Sequence, residues 1–176
     1  MKFSKRPVAL VIAVVITGAF IVAQVLERRD DSKYERRFLP PVESVLYTSE
    51  CSSCHFLYLP GLLPAGSWKR IVEDSGEHFG HELHLEAGVA AELVLYLGAN
   101  SAETTGAKRS GRILDSLEGA TPKRITETPY IKKKHQGIKA IIYRRDAIKS
   151  FSNCIACHTT AKEGNFREAN VKIPKL

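Results

Sequence analysis

The chain has 176 residues and a formal net charge of +7, which falls to +4 once Lys2, Lys5 and Arg6 at its N-terminal end are set aside. So modest an excess, with no motif of a nucleic-acid-binding fold, does not argue for nucleic acid, and none is expected as a partner. The only methionine is Met1 and the cysteines number four, which excludes a thioether ligand at any later metal centre.

Lys2, Lys5 and Arg6 precede an apolar run from Pro7 to Leu26, broken only by Thr17, Gly18 and Gln24 and ended by Glu27-Arg28-Arg29-Asp30-Asp31. About 20 apolar residues span a bilayer core, and the positive flank keeps its own end cytoplasmic. Residues 1–26 are therefore expected to form a transmembrane helix that anchors the rest outside. A cleaved signal segment is the alternative, with Thr17-Gly18-Ala19 or Ile21-Val22-Ala23 as a small-residue cleavage site, although a signal's apolar region is only about 7–15 residues long. Residues 27–44, charged and then carrying Leu39-Pro40-Pro41, read as a stiff linker rather than a core element.

Residues 45–100 are predicted to form one compact unit. It holds Cys51-Ser52-Ser53-Cys54-His55, a loop over Leu59-Pro60-Gly61-Leu62-Leu63-Pro64, a short helix capped by Ser67, and a helix from about Glu86 to Leu97 stopped by Gly98. Trp68, Ile71 and Val72 share one face of the first helix at helical spacing, and Ala90, Leu93, Val94 and Leu97 one face of the second. Residues 101–120, rich in Gly, Ser, Thr and Ala, read as a connector. A smaller unit over 121–176 contains His135 and Cys154-Ile155-Ala156-Cys157-His158, with helix expected around Ser152 to Thr160. It is too short to bury a large core unaided.

The two CxxCH words use every cysteine. In each, two thiols three positions apart can add to the two vinyl groups of one haem while the next imidazole reaches the iron, so two covalent haem c groups are expected. Zinc ribbons set their pairs about 15–20 residues apart and do not call for a histidine after each pair. A dithiol redox pair needs one CxxC within a βαβ pattern, and neither word sits in one. With thioether excluded, His55 and His158 are the proximal ligands, and His78, His81, His84 and His135 remain as sixth ligands. His135 is the only spare histidine of the second unit. Haems with two imidazoles have lower potentials than Met-ligated ones and no open position, which favours electron transfer over substrate chemistry. Lys132-Lys133-Lys134 beside His135 could steer an acidic redox partner to a haem edge, although such a run more often marks a solvated face.

At this point the chain resembles the diheme cytochrome c family. The likeness rests on Glu50 through His55, Pro60 through Trp68, His78-Phe79-Gly80, Arg124 through Tyr130, His135, Asn153 through His158 and Gly164-Asn165-Phe166. The resemblance implies a mainly α fold, a class I-like cytochrome c domain followed by a smaller haem-binding domain, and bis-histidine ligation of both haems. His78 lies where a class I cytochrome returns its sixth ligand, which points to His78 for the first haem and His135 for the second. It also implies partners, a small monohaem cytochrome c as acceptor and a b-type membrane cytochrome as donor. The location implied is the periplasmic side of a bacterial inner membrane, anchored by the N-terminal helix or soluble after cleavage. The rival class is a dihaem redox enzyme such as a peroxidase or a thiosulfate-oxidising cytochrome, which keeps one distal position labile. Spare His81 and His84 and the lack of a fifth cysteine do not support it.

Three finer expectations follow. A backbone carbonyl in Leu59–Pro60 could accept the second ring proton of His55. The Trp68 indole could donate to a haem propionate or simply pack. Pro129-Tyr130 could shield the second haem or form a turn.

Overall fold

A computed structural model describes residues 18, 20–26 and 37–175. Residues 20–26 are helical and expose Phe20, Ile21, Val22, Val25 and Leu26. Among the described residues no helix is long and apolar enough to cross a membrane, so the transmembrane expectation gains no support here. Most of the 1–26 anchor and the start of the 27–44 linker lie outside the described residues.

Helix α1 (Val45–Cys51) starts at Ser44, whose hydroxyl accepts the Tyr47 N–H at 3.0 Å, satisfying one of the open donors of the first turn. Helix α2 (Ala65–Glu73) begins after Pro64. Pro64 and not Ser67 is therefore the capping position, because Ser67 sits inside the helix and is fully buried. Helix α3 (Ala87–Ala99) packs along α2 and also touches α1. The apolar faces expected for these helices bury Trp68, Val72, Leu93 and Leu97. They form one cluster with Leu59, Leu62, Leu63 and Tyr47, so these side chains pack on one another. Each fully buried leucine contributes about 1.5–3 kcal/mol, which gives this half a core of its own.

Two stretches expected to be peripheral are part of that core. Residues 101–120 are not an irregular connector: they hold helix α4 (Lys108–Leu117), which buries Ser110, Ile113 and Leu117 and closes on Glu118 and Gly119 with φ of 49° and 87°. The Ser110 hydroxyl donates to the Gly61 carbonyl at 2.8 Å, so a polar residue occupies an apolar stripe without an unpaired group. Leu39, assigned to the linker, is also buried and its N–H donates to the Gly164 carbonyl at 3.1 Å. Gly164 has a φ of 71°, and a Cβ there would run into the Leu39 backbone. Only glycine satisfies both demands.

The remaining chain is sparse in helix. Helix α5 (Pro129–His135) has proline at its first position, where no N–H is required, and α6 (Ala140–Tyr143) is a single turn. The helix expected from Ser152 to Thr160 reduces to a 3₁₀ turn over Cys154–Ala156. Local side chains take the backbone groups that a helix would use: the Ser150 hydroxyl accepts the Ser152 N–H at 3.1 Å and the Asn153 amide donates to the Ile148 carbonyl at 2.9 Å. Residues 36–176 pack as one unit that includes both CxxCH words.

Candidate haem sites

Cys51 is the last residue of α1, so the first word leaves directly from a helix end. The His55 Nδ1–H donates to the Phe56 carbonyl at 2.8 Å, which fixes the proton on Nδ1 and leaves Nε2 as the metal-facing lone pair. This acceptor is not the Leu59–Pro60 carbonyl considered from sequence. The Pro60 carbonyl is taken by the Trp68 indole N–H at 2.7 Å, so Trp68 is a buried brace on that loop and its donor is not free for a propionate.

His78 is presented by a two-residue turn. The His78 N–H donates to the His81 carbonyl at 2.7 Å and the His81 N–H returns to the His78 carbonyl at 3.1 Å. Phe79 and Gly80 between them have φ of 56° and 90°, the mirror-image turn that glycine makes easy and phenylalanine does not. Phe79 is held there by the Arg124 guanidinium, 3.9 Å from its ring centroid, and by the His78 ring at 4.7 Å. The turn lays the His78 ring against that of His55, with centroids 6.3 Å apart and planes inclined by 17°. His81 and His84 stay exposed.

At the second site the 3₁₀ turn sets Cys154, Cys157 and His158 together, with the His158 N–H donating to the Cys154 carbonyl at 2.8 Å. His135 ends α5, and its Nδ1–H donates to the Ile131 carbonyl one turn earlier at 2.8 Å. Its ring lies 5.9 Å from that of His158 with the planes at 75°. Both cysteines and both histidines line a cavity of about 1010 Å³ whose walls include Ile125, Tyr130, Ile148, Phe151 and Phe166. Such a volume is at the upper end for cofactor sites. Tyr130 thus belongs to the wall.

The chemistry of these donors fits an iron between each pair. Two metal–imidazole bonds of about 2.0–2.1 Å and a ring radius of about 1.1 Å on either side place the centroids about 6.3 Å apart. Burial lowers the pKa of His78, helped by His55, and brings that of His158 down to about 4, with His135 and Arg109 adding to the effect. Both rings are therefore neutral at physiological pH, the form that a metal takes. Burial also pushes the thiols of Cys51 and Cys154 up to about 11, so neither is poised as the reactive thiolate of a dithiol oxidoreductase. Among the described residues no group of three or more Cys, His, Asp or Glu side chains is gathered for a metal ion, which gives the zinc alternative no support.

Two residues near the sites were not found from sequence. The Tyr58 ring lies 5.1 Å from the His55 ring with the planes tilted by 38°, and its hydroxyl donates to the Ser152 carbonyl at 2.8 Å. That carbonyl also accepts the Cys154 N–H at 3.0 Å. Burial, and then Cys154, raises the phenol to about 12, so it stays a donor. Arg109 lines the second cavity, donates to the Phe166 carbonyl at 2.9 Å, and has no carboxylate partner among the described residues.

The model of the dihaem cytochrome c family matches residues 47–166. Three solved structures are similar. A diheme cytochrome c from Rhodobacter sphaeroides is 38% identical, with 72% of this chain and 99% of that chain covered and a TM-score of 0.63. A crystal structure of DHC purified from Rhodobacter sphaeroides is 35% identical over 72% and 99% of the two chains, with a TM-score of 0.59. A diheme cytochrome type c from Shewanella baltica is 33% identical over 74% and 92%, with a TM-score of 0.59. No curated protein matches the chain.

Proposed function

The chain belongs to the dihaem cytochrome c family, and from that membership we propose an electron-transfer protein whose two haems are each held between two histidines. Two covalently attached haem c groups follow from the family. We assign Cys51 and Cys54 to the first and Cys154 and Cys157 to the second, with His55 and His78, and His158 and His135, as axial ligands. The observation that carries this reading is the imidazole spacing within each pair, 6.3 and 5.9 Å.

When bound, haem supplies a one-electron iron couple. The protein's own contribution is to fix ligands and exclude water. His55 and His135 give their Nδ1 protons to the Phe56 and Ile131 carbonyls, which orients each ring and raises its basicity. Two imidazoles per iron leave no position for a substrate and omit the thioether that raises potential. Arg109, which lines the second cavity, would offer a guanidinium to a haem propionate there. Matured protein should carry the mass of two haems with all four thiols blocked, and both ferrous centres should be low-spin and slow to bind carbon monoxide. Intact mass and ferrous spectra test this; one haem, or rapid carbon monoxide binding, would overturn it.

We place the haem-bearing residues on the periplasmic side of the inner membrane, anchored by Pro7–Leu26, because that run has the length and flanking charge of a span. A small monohaem cytochrome c as acceptor and a b-type membrane cytochrome as donor suit such a position. The intact protein should fractionate with membranes. A native N-terminus near Phe20 or Gln24 would replace the anchor with a cleaved signal.

A further inference from the structure

The segments that carry the two distal histidines have opposite charge. Residues 73–86 around His78 contain five acidic residues and no lysine or arginine, whereas residues 132–149, from just before His135 onward, contain seven basic residues and one acid, Asp146. Around His78 the contrast is partly offset. Glu73 meets Lys69 at 3.7 Å, Asp74 meets Lys123 at 3.1 Å, and Arg124 lies over Phe79. Glu77, Glu82 and Glu86 remain exposed, with no lysine or arginine partner among the described residues.

The basic segment is not offset. Lys132, Lys133, Lys134, Lys139, Arg144 and Lys149 are all exposed, and among the described residues none is in an ion pair. A basic last turn of α5 suits the helix dipole, but that accounts only for residues up to His135. Lys133 and Lys134 line the mouth of the second haem cavity together with His135 and Tyr143. Among these cations Ile141 is 66% exposed on α6, an apolar side chain within a charged rim. Interfaces are commonly built as an apolar centre in a polar rim.

We propose that residues 132–149 are the docking face for an acidic redox protein, which exchanges electrons through the second haem site, and that the acidic 73–86 segment turns the same partner away from the first. This rests on the electron-transfer reading above and adds to it the partner's charge and the site that meets it. Charge supplies the rate of encounter, Ile141 supplies contact once the partner has arrived, and like charge at the other site supplies discrimination.

The test is stopped-flow reduction of the oxidised dihaem protein by two reductants of opposite charge. One is reduced plant-type [2Fe–2S] ferredoxin, an acidic protein; the other is reduced methyl viologen, a small cation of similarly low potential. The ferredoxin rate should fall steeply with added salt. The triple variant Lys132→Gln, Lys139→Gln, Arg144→Gln leaves the cavity lining intact. It should slow ferredoxin at low salt by about tenfold and flatten the salt dependence, while its methyl viologen rate does not fall. Glu82→Gln with Glu86→Gln should leave the ferredoxin rate equal or faster. Ile141→Ser should raise the ferredoxin concentration needed for saturation and keep the salt slope. A salt-independent ferredoxin rate, an equal loss with both reductants, or a basic face that binds phosphatidylglycerol vesicles but does not affect ferredoxin would overturn the docking proposal. Failure of the unmutated protein to accept electrons from either reductant would instead overturn the electron-transfer reading.

Discussion

Replacing His135→Ala should convert one of the two haems to a high-spin, ligand-binding centre and leave the other low-spin, so that half of the ferrous haem absorbance responds to carbon monoxide. His135 ends α5 with its Nδ1 already committed to the Ile131 carbonyl, and its ring stands 5.9 Å from His158. No other histidine lines that cavity, so the vacated position has no replacement imidazole. His78→Ala should do the same at the first site, with one difference. His81 is joined to His78 by the two hydrogen bonds of the turn, so slow re-ligation by His81 is open there and absent at the second site. Spectra of the ferrous variants before and after carbon monoxide decide the matter. Unchanged low-spin spectra in both variants would refute the ligand assignment, and rapid peroxide turnover by the unmutated protein would favour the enzyme class.

Loss of the second attachment should have a larger structural effect than loss of the first. Among the described residues from 121 onward the buried apolar side chains are only Ile125, Ile148 and Ala161, and the first two line a cavity of about 1010 Å³. The haem is therefore most of this half's interior. The first half has Leu59, Leu62, Leu63, Trp68, Leu93 and Leu97 packed on one another. Cys154→Ser with Cys157→Ser should yield a protein with one covalent haem, in which residues beyond about 121 are cut readily by protease and amide exchange there is fast. Cys51→Ser with Cys54→Ser should leave α2 and α3 protected. Limited proteolysis read by mass spectrometry measures both; equal protection of the two halves in the first variant would show that the second half folds without its haem.

What the sequence made legible was local. The CxxCH words, the apolar faces of α2 and α3, and His78 and His135 as candidates all declare themselves within a few residues. The structure brings His78 to His55 and His135 to His158. Helix α4 was not legible because its inward stripe begins with Ser110, whose hydroxyl is satisfied by Gly61 far back in the chain. Leu39 looked like linker because the group that pins it, the Gly164 carbonyl, comes near the end of the chain. The helix expected after Ser152 failed for the opposite reason: Ser150 and Ser152 bond one another and the Asn153 amide takes the nearby Ile148 carbonyl, a competition that composition alone does not rank. Tyr58 offered no sequence signal, since its partner is a backbone carbonyl 94 positions away.

That phenol has a mechanical consequence. Its ring lies against His55 of one CxxCH word and its hydroxyl holds the Ser152 carbonyl just before the other, while the Tyr47 hydroxyl holds the Tyr58 carbonyl at 2.8 Å. The two CxxCH words are thus tied to a common strut within one compact unit. Electron exchange between them needs no hinge to close first. We expect the rate of that step to be indifferent to the viscosity of the solvent, with any gating of the overall flow left to the encounter with partners.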